Sequence, residues 1–358
     1  MKFYLLMVNK SKIKWVYLTS ALRIRFEFLK SITILLISIL ISFSSSANEY
    51  NTSSISLTID NDSLLNTDRE YTSGVYFKYN SASVKIPSDF SSDTISYLAE
   101  ILPLSEASRK GWGLEFSQQM WTPTNIEVTD EIKNDRPYSG LISLNTYIRE
   151  YSEESTTKYG LMLGIVGPSS HAEQSQKYIH QMIDSPKPMG WENQMEDKFV
   201  YGLEFESQKA LLRRSAFGYY DYEVSMLNRV KVSNFQSEVA FGSTLRWGSQ
   251  LHESFGSVGN KPGGLIDPSA FSNSKSGFFA YLALEGRYRF NDYTIDGARP
   301  EHVYNINVEN WQSTGSTGVV YYQSTWGVAL SYAVSTPNFK EDVINHNAFG
   351  SLELFWRI

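Results

Sequence analysis

The sequence predicts an all-β protein: a transmembrane antiparallel β-barrel of about twelve strands with a short extracellular helix. Three observations predict it. An export signal stands at the amino terminus, period-two segments recur through the remainder, and the chain closes on one of them. No long apolar run follows the export signal, so strands rather than helices are expected to cross the membrane.

The first element is the signal. Lys2, Lys10, Lys12, Lys14, Arg23, Arg25 and Lys30 precede an apolar run from Ile32 to Phe43, and Ser45 and Ala47 supply small residues for a peptidase. A basic region, a short apolar core and a small-residue site read as a secretory signal over residues 1–47, leaving 48–358 as the mature barrel. Cleavage after Ala47 removes seven basic residues and one acidic residue (Glu27), which takes the formal charge from −6 to −12. Such a chain has no general attraction for nucleic acid.

Composition narrows the chemistry. The chain has 358 residues, room for one large domain or two medium ones. It has no cysteine, so disulfides, thiolate zinc sites and cysteine nucleophiles are excluded. Its 23 Tyr, 20 Phe and 8 Trp suit a surface that meets membrane interfaces, because Tyr and Trp join an apolar body to a polar tip. An aromatic-rich soluble β-sandwich has the same composition, so the decision falls to the residue pattern.

That pattern alternates. Over 239–247, Val239, Phe241, Leu245 and Trp247 share one face, opposite Ala240, Gly242, Thr244 and Arg246. Over 278–290, Phe278, Ala280, Leu282, Leu284, Tyr288 and Phe290 oppose a face ending in Glu285, Arg287 and Arg289. Ile142, Leu144 and Ile148 oppose Ser143, Asn145, Tyr147 and Arg149. The closing segment sets Leu352, Leu354, Trp356 and Ile358 against Ser351, Glu353, Phe355 and Arg357. Strands are expected near 53–60, 74–81, 111–119, 140–150, 158–166, 199–211, 217–230, 235–247, 276–290, 317–323, 326–335 and 348–358. An even count puts both termini in the periplasm and brings loops 61–73, 120–139 and 167–198 together at the outer surface. Two long periplasmic connections follow from this count: 83–110, with a helical look near Asp93–Leu102, and the Gly- and Ser-rich 248–275.

The chemically suggestive clusters fall in or beside the three outer loops. Asp60-Asn61-Asp62, followed by Asn66-Thr67-Asp68-Arg69, offers hard oxygen donors suited to Ca²⁺, without the spacing of an EF-hand. The same residues also suit a polar hairpin tip. Arg136, in Asp135-Arg136-Pro137-Tyr138-Ser139-Gly140, presents a fork of donors for a phosphate or carboxylate, or for a barrel-lining acid. Gly167-Pro168-Ser169-Ser170 leads into a predicted helix with Ser170 and Glu173 as a capping box. On that helix Gln176 and His180 lie four apart on one face, and His180 suits proton transfer at neutral pH. A surface histidine without function fits the residue equally well.

Taken together, these segments resemble a known family. Asn61-Asp62, Thr67-Asp68-Arg69, Tyr71-Thr72-Ser73-Gly74, Asp135-Arg136-Pro137-Tyr138-Ser139-Gly140, Gly167-Pro168, Gln176, His180, Gly190-Trp191 and Asn193-Gln194 are similar, in order, to motifs of the lipid A 3′-O-deacylases of Gram-negative outer membranes. Asn291 and Asp296-Gly297 fit as well, and the likeness spans essentially the whole mature chain. Asp135 departs from it, standing where some members carry a basic residue. The resemblance implies a twelve-stranded, Ca²⁺-dependent esterase whose site lies between barrel wall and extracellular helix, facing lipid A (lipopolysaccharide) in the outer leaflet. It implies His180 as base, Asn61 and Gln176 as polar site residues, Asp62 and Asn61 as Ca²⁺ ligands, and Arg136 as a phosphate contact.

Two rivals stay open at this point. The His-x-Ser-Asn-Gly motif of outer-membrane phospholipases and the Gly-x-Ser-x-Gly elbow of other serine hydrolases are both missing. A porin or structural barrel has no reason to gather Asn61, Asp62, Gln176 and His180 at one surface; a lumen filled with side chains is the feature that would distinguish it.

Overall fold

A computed structural model describes residues 53–62, 70–83, 102–105, 108–216, 218–271 and 274–358. The predicted signal, the loop residues Asn66–Arg69 and nearly all of the helical stretch near Asp93–Leu102 lie outside the described residues.

Twelve strands form one closed antiparallel barrel. They are β1 (Ser54–Asn61), β2 (Glu70–Asn80), β3 (Arg109–Thr122), β4 (Ser139–Tyr151), β5 (Ser155–Val166), β6 (Lys198–Ala216), β7 (Tyr220–Ser233), β8 (Gln236–Gly248), β9 (Gly277–Asp292), β10 (Trp311–Tyr322), β11 (Trp326–Ser335) and β12 (Asn347–Arg357). Each pairs with its sequence neighbours, and β1 closes on β12 with Ser54 opposite Arg357 and Asn61 opposite Gly350. Closure leaves no unpaired strand edge, as a bilayer demands.

The alternation is inside-out relative to a soluble protein. On β8, Phe241, Leu245 and Trp247 are exposed on the outer face, while Ala240, Thr244 and Arg246 are buried in the lumen. On β9, Leu282, Leu284 and Phe290 face out, and Glu285, Arg287 and Arg289 face in. Among the described residues no helix is long and apolar enough to cross a membrane.

Two strands begin well before the pattern indicated, while the other starts agree within three residues. β2 starts at Glu70 rather than 74, because a bulge between Tyr71 and Ser73 breaks the period-two signal. β10 starts at Trp311 rather than 317, because Ser313, Gly315 and Thr317 are too small or polar to mark its outer face.

The segment between β8 and β9 differs more. It connects strands at the end that carries both termini, yet it folds up into the lumen. The inner faces of β9, β10, β11 and β12 there carry Phe279, Tyr281, Val320, Tyr322, Ala329 and Phe355, which pack with Leu251, Val258, Ile266 and Phe271 of the segment. Polar ties fix it: the Gly263 amide donates to Asp60 Oδ2 at 2.7 Å, and Lys261 pairs with Glu204 at 2.5 Å. The Arg246 guanidinium donates to the Leu251 and Ser254 carbonyls at 2.7 and 2.8 Å. Loop length and Gly/Ser content show none of this, because the partners are inward strand residues far along the chain.

The rest of the lumen is spanned by buried ion pairs, including Arg229 with Glu285 at 2.7 Å, Arg289 with Glu238 at 2.6 Å and Lys158 with Glu204 at 2.9 Å. A cavity of about 200 Å³ remains between them. The lumen is therefore occupied by side chains and a plug, the feature set above against a porin.

Candidate active site

The loop after β5 builds the site. Gly167 opens it at φ 102°, where a Cβ would stand 2.7 Å from the Asp197 nitrogen, so only glycine fits. A short 3-10 turn (Pro168–Ser170) leads to helix α1 (Ala172–Met182). The capping-box expectation is corrected here. The N-cap is His171, in the left-handed region at φ 56°, with no side-chain cap, and Ser170 turns its hydroxyl back to the Gly167 carbonyl at 2.6 Å. The preceding 3-10 turn consumes the hydroxyl that the box would have used.

Helix α1 lies on the outside of the barrel. Met120 and Gly140 occupy outward positions on β3 and β4 and pair in register. A Cβ on Gly140 would come within 2.2 Å of Ser170 Oγ and 2.4 Å of Ala172 Cβ, so the glycine allows the helix to press on the wall. Gln118 Nε2 donates to the Ser170 carbonyl at 2.7 Å. Met120, Ile126, Tyr138, Ala172 and Trp191 form one buried cluster over this patch.

Ala172, Gln176 and His180 are the buried positions of α1, spaced by four residues and therefore on one face. Trp191 Nε1 donates to Gln176 Oε1 at 2.8 Å. Indole nitrogen can only donate, so the amide orientation is fixed and Nε2 points away from Trp191. Among the described residues that buried Nε2 has no hydrogen-bond partner, which leaves a donor between helix and wall. The Gly190-Trp191 motif thus aims Gln176, a role the sequence did not reveal. Trp191 itself is held by ring contact with Tyr138 at 4.7 Å.

His180 is oriented in the same way. Its Nδ1 lies 2.6 Å from the Pro186 carbonyl. A carbonyl only accepts, so Nδ1 carries the proton and Nε2 keeps its lone pair, the tautomer a general base needs.

Asn61 and Asp62 stand at the same end of the barrel. Along β1 the inward residues alternate through Ser56, Thr58 and Asp60, so Asn61 faces outward. Asn61 pairs with Ser73 on β2, Ser73 with Met120 on β3, and Met120 with Gly140 on β4. One outer row of the wall thus runs from Asn61 to the seat of α1, and neighbouring strands lie about 5 Å apart. Ser73, a hydroxyl between the two groups, was quoted in the sequence motif but not singled out. Asp62 is wholly buried, its amide donating to the Thr72 carbonyl at 3.2 Å.

Arg136 is not part of this outer group. It lines the lumen cavity, where Nη1 donates to Glu70 Oε2 and Nη2 to Thr294 Oγ1, both at 2.8 Å. Glu70 Oε2 also accepts from Asn338 Nδ2 at 3.0 Å. Of the two readings open for this guanidinium, the geometry supplies the pairing with a barrel acid. Asp135 serves its own turn, accepting from the Thr124 and Arg136 amides at 2.7 and 2.8 Å.

Comparison with known proteins adds to this geometry. The family described as "Outer membrane protein LpxR" matches residues 33–358. Among solved structures, LpxR from Salmonella typhimurium superposes with a TM-score of 0.70 at 14% identity, covering 85% of this chain and 100% of that one. The β domain of the Bordetella autotransporter BrkA gives a TM-score of 0.42 at 9% identity, covering 86% of this chain and 99% of that one. No curated protein sequence matches the chain.

Proposed function

The chain belongs to the outer membrane protein LpxR family, an integral β-barrel of the outer membrane, and from that premise we propose that it hydrolyses the 3′-O-linked acyl ester of lipid A in the outer leaflet. The observation that carries this reading is the wall-facing side of α1, which holds an oriented His180 and a Gln176 donor with no partner among the described residues. The outside of the wall, not the lumen, is where a lipid presents itself, and in this reading the ester enters a cleft between α1 and the wall.

In this reading the nucleophile is water. His180 Nε2 takes a proton from it as the oxygen bonds to the ester carbonyl carbon. The tetrahedral intermediate then collapses, breaking the bond to the sugar oxygen, and His180 returns the proton to that oxygen. The products are a free fatty acid and a 3′-hydroxyl. Gln176 Nε2 donates to a polar substrate oxygen in the cleft, and burial makes such a donor count for more than in water. Arg136, whose Nη atoms donate to Glu70 and Thr294 in the lumen, is given no part in the chemical step.

A divalent cation fits the donor chemistry at the β1 end. Asp62 is a fully buried carboxylate beside the Asn61 amide, and Ser73 adds a hydroxyl in register with Asn61. Ca²⁺ takes six to eight oxygen ligands of these types, with carbonyls and water completing the set. Bound there, it would supply positive charge for the oxyanion.

The test is mass spectrometry of lipid A from cells expressing the wild type or His180→Ala. Loss of one 3′-linked chain, with any secondary acyl group it bears, in the wild type alone is expected. Release of fatty acid from glycerophospholipids alone would replace this reading with a phospholipase.

A further inference from the structure

We infer that the outer flank of helix α1 is a membrane-interface surface that lies in the acyl region of the outer leaflet. At ~100° per residue the helix divides into three sectors. Ala172, Gln176 and His180 take the sector against the wall. Glu173, Gln174, Lys177 and Gln181 take a polar flank on one side of it. On the other side stand Tyr178, Ile179 and Met182, which are 63%, 47% and 49% exposed, with the small, half-buried Ser175 between Met182 and Ile179. Water gives no reason to gather a short helix's three large exposed apolar groups on one flank, opposite its polar groups. A helix lying across a lipid–water boundary does.

Its position supplies the boundary. The helix rests on outward residues of β3 and β4, so it is outside the barrel, where lipid begins. The outward residues of the adjoining strands stay apolar to their last paired rows at this end. Ile165 of β5 pairs with Phe199 of β6, and Leu163 with Tyr201, all four exposed. Helix α1, seated on β3 and β4, lies one strand away from this lipid-facing belt, since β4 pairs with β5. The surface fits hydrocarbon and interface, and Tyr178 has a hydroxyl for the headgroup level. This inference stands on membrane integration alone; if the proposed deacylation holds, it also sets the cleft at the depth where ester bonds of outer-leaflet lipids lie.

The chain has no cysteine, so single labels can be placed without altering other residues. Ile179→Cys and Gln174→Cys, on opposite flanks of α1, would be labelled with bimane and reconstituted as full-length protein in phosphatidylcholine vesicles. Heat-modifiable gel mobility checks that each barrel is folded. A label at 179 should be blue-shifted, quenched by lipids with a nitroxide on the acyl chain and protected severalfold from aqueous iodide. A label at 174 should show the reverse. Equal iodide quenching at the two positions would overturn the inference, as would lipid quenching at both. Protection at 179 from both quenchers, with energy transfer between labelled copies, would show that a second copy covers the flank and would also overturn it.

Discussion

His180 has one nitrogen left for proton transfer in the proposed reaction, because the Pro186 carbonyl takes the hydrogen of the other. His180→Ala should therefore lower lipid A deacylation by about 10²- to 10⁴-fold, the range of a lost general base, with no change in heat-modifiable mobility. Full activity of a well-folded variant would remove His180 from the mechanism. Asp62→Ala should also cost most of the activity, for a different reason. If a cation binds as proposed, losing the buried carboxylate next to Asn61 in sequence weakens its site, and mass action can refill a weakened site. Raised Ca²⁺ should restore part of the Asp62→Ala activity and none of the His180→Ala activity, and EDTA should silence the wild type. Undiminished turnover in EDTA would remove the cation from the reading. The sequence marked Gln176 and His180 as sharing a face, since a four-residue spacing suffices for that. It left the role of Arg136 open, because a guanidinium fits a phosphate and a carboxylate equally well and only Glu70, 66 residues away, decides between them.

Helix α1 depends on two supports that can be removed separately from the barrel. Trp191→Phe keeps an aromatic ring against Tyr138 but deletes the hydrogen bond that fixes Gln176. A neutral hydrogen bond contributes about 1 kcal/mol, so deacylation should fall roughly fivefold to tenfold if Gln176 works in the transition state. Unchanged lipid A turnover in Trp191→Phe would make Gln176 a packing residue only. Gly140→Leu is the harsher change, because even a Cβ there would collide with Ser170 and Ala172. It should displace α1 and abolish deacylation while the barrel keeps its heat-modifiable mobility. Activity at wild-type level would mean that the helix need not touch the wall. Such a contact is invisible in sequence, since a glycine beside a strand start reads as turn punctuation.

At the scale of the molecule, the lumen and the outer wall do different work. Ion pairs and the segment between β8 and β9 close the interior, so the barrel should pass no steady current in a planar bilayer. Replacing residues 250–275 by a short turn should create a conducting pore in a barrel that still assembles. A silent variant would show that the strand-borne ion pairs seal the lumen unaided. Buried pairs of this kind offset their desolvation only when fully engaged, which favours one fixed arrangement of the wall. The plug also touches the wall directly behind the site. Gly263 and Tyr71 both donate to Asp60 Oδ2, at 2.7 and 2.9 Å, one residue before the outward Asn61.

The sequence by itself determined the architecture of this protein. A strand in a barrel has lipid on one side and lumen on the other, so its environment repeats every two residues and the residues record it. Val239 to Trp247 and Phe278 to Arg289 register against their neighbours as their alternation requires, and a bulge then skips Phe290. The pattern failed most where it was locally erased, by the bulges at Tyr71–Ser73 and Ala210–Leu212 and by the small residues that open β10. The helix, its shared face and the oxygen donors at the β1 end were legible for the same reason: they rest on spacing within a few residues. Only the tertiary structure decided that the segment after β8 fills the lumen, that Trp191 orients Gln176, that Pro186 sets the His180 tautomer and that Arg136 faces Glu70. Each of these depends on one hydrogen bond or packing contact between residues brought together by loops. Such contacts have no period, and no local sequence rule encodes them.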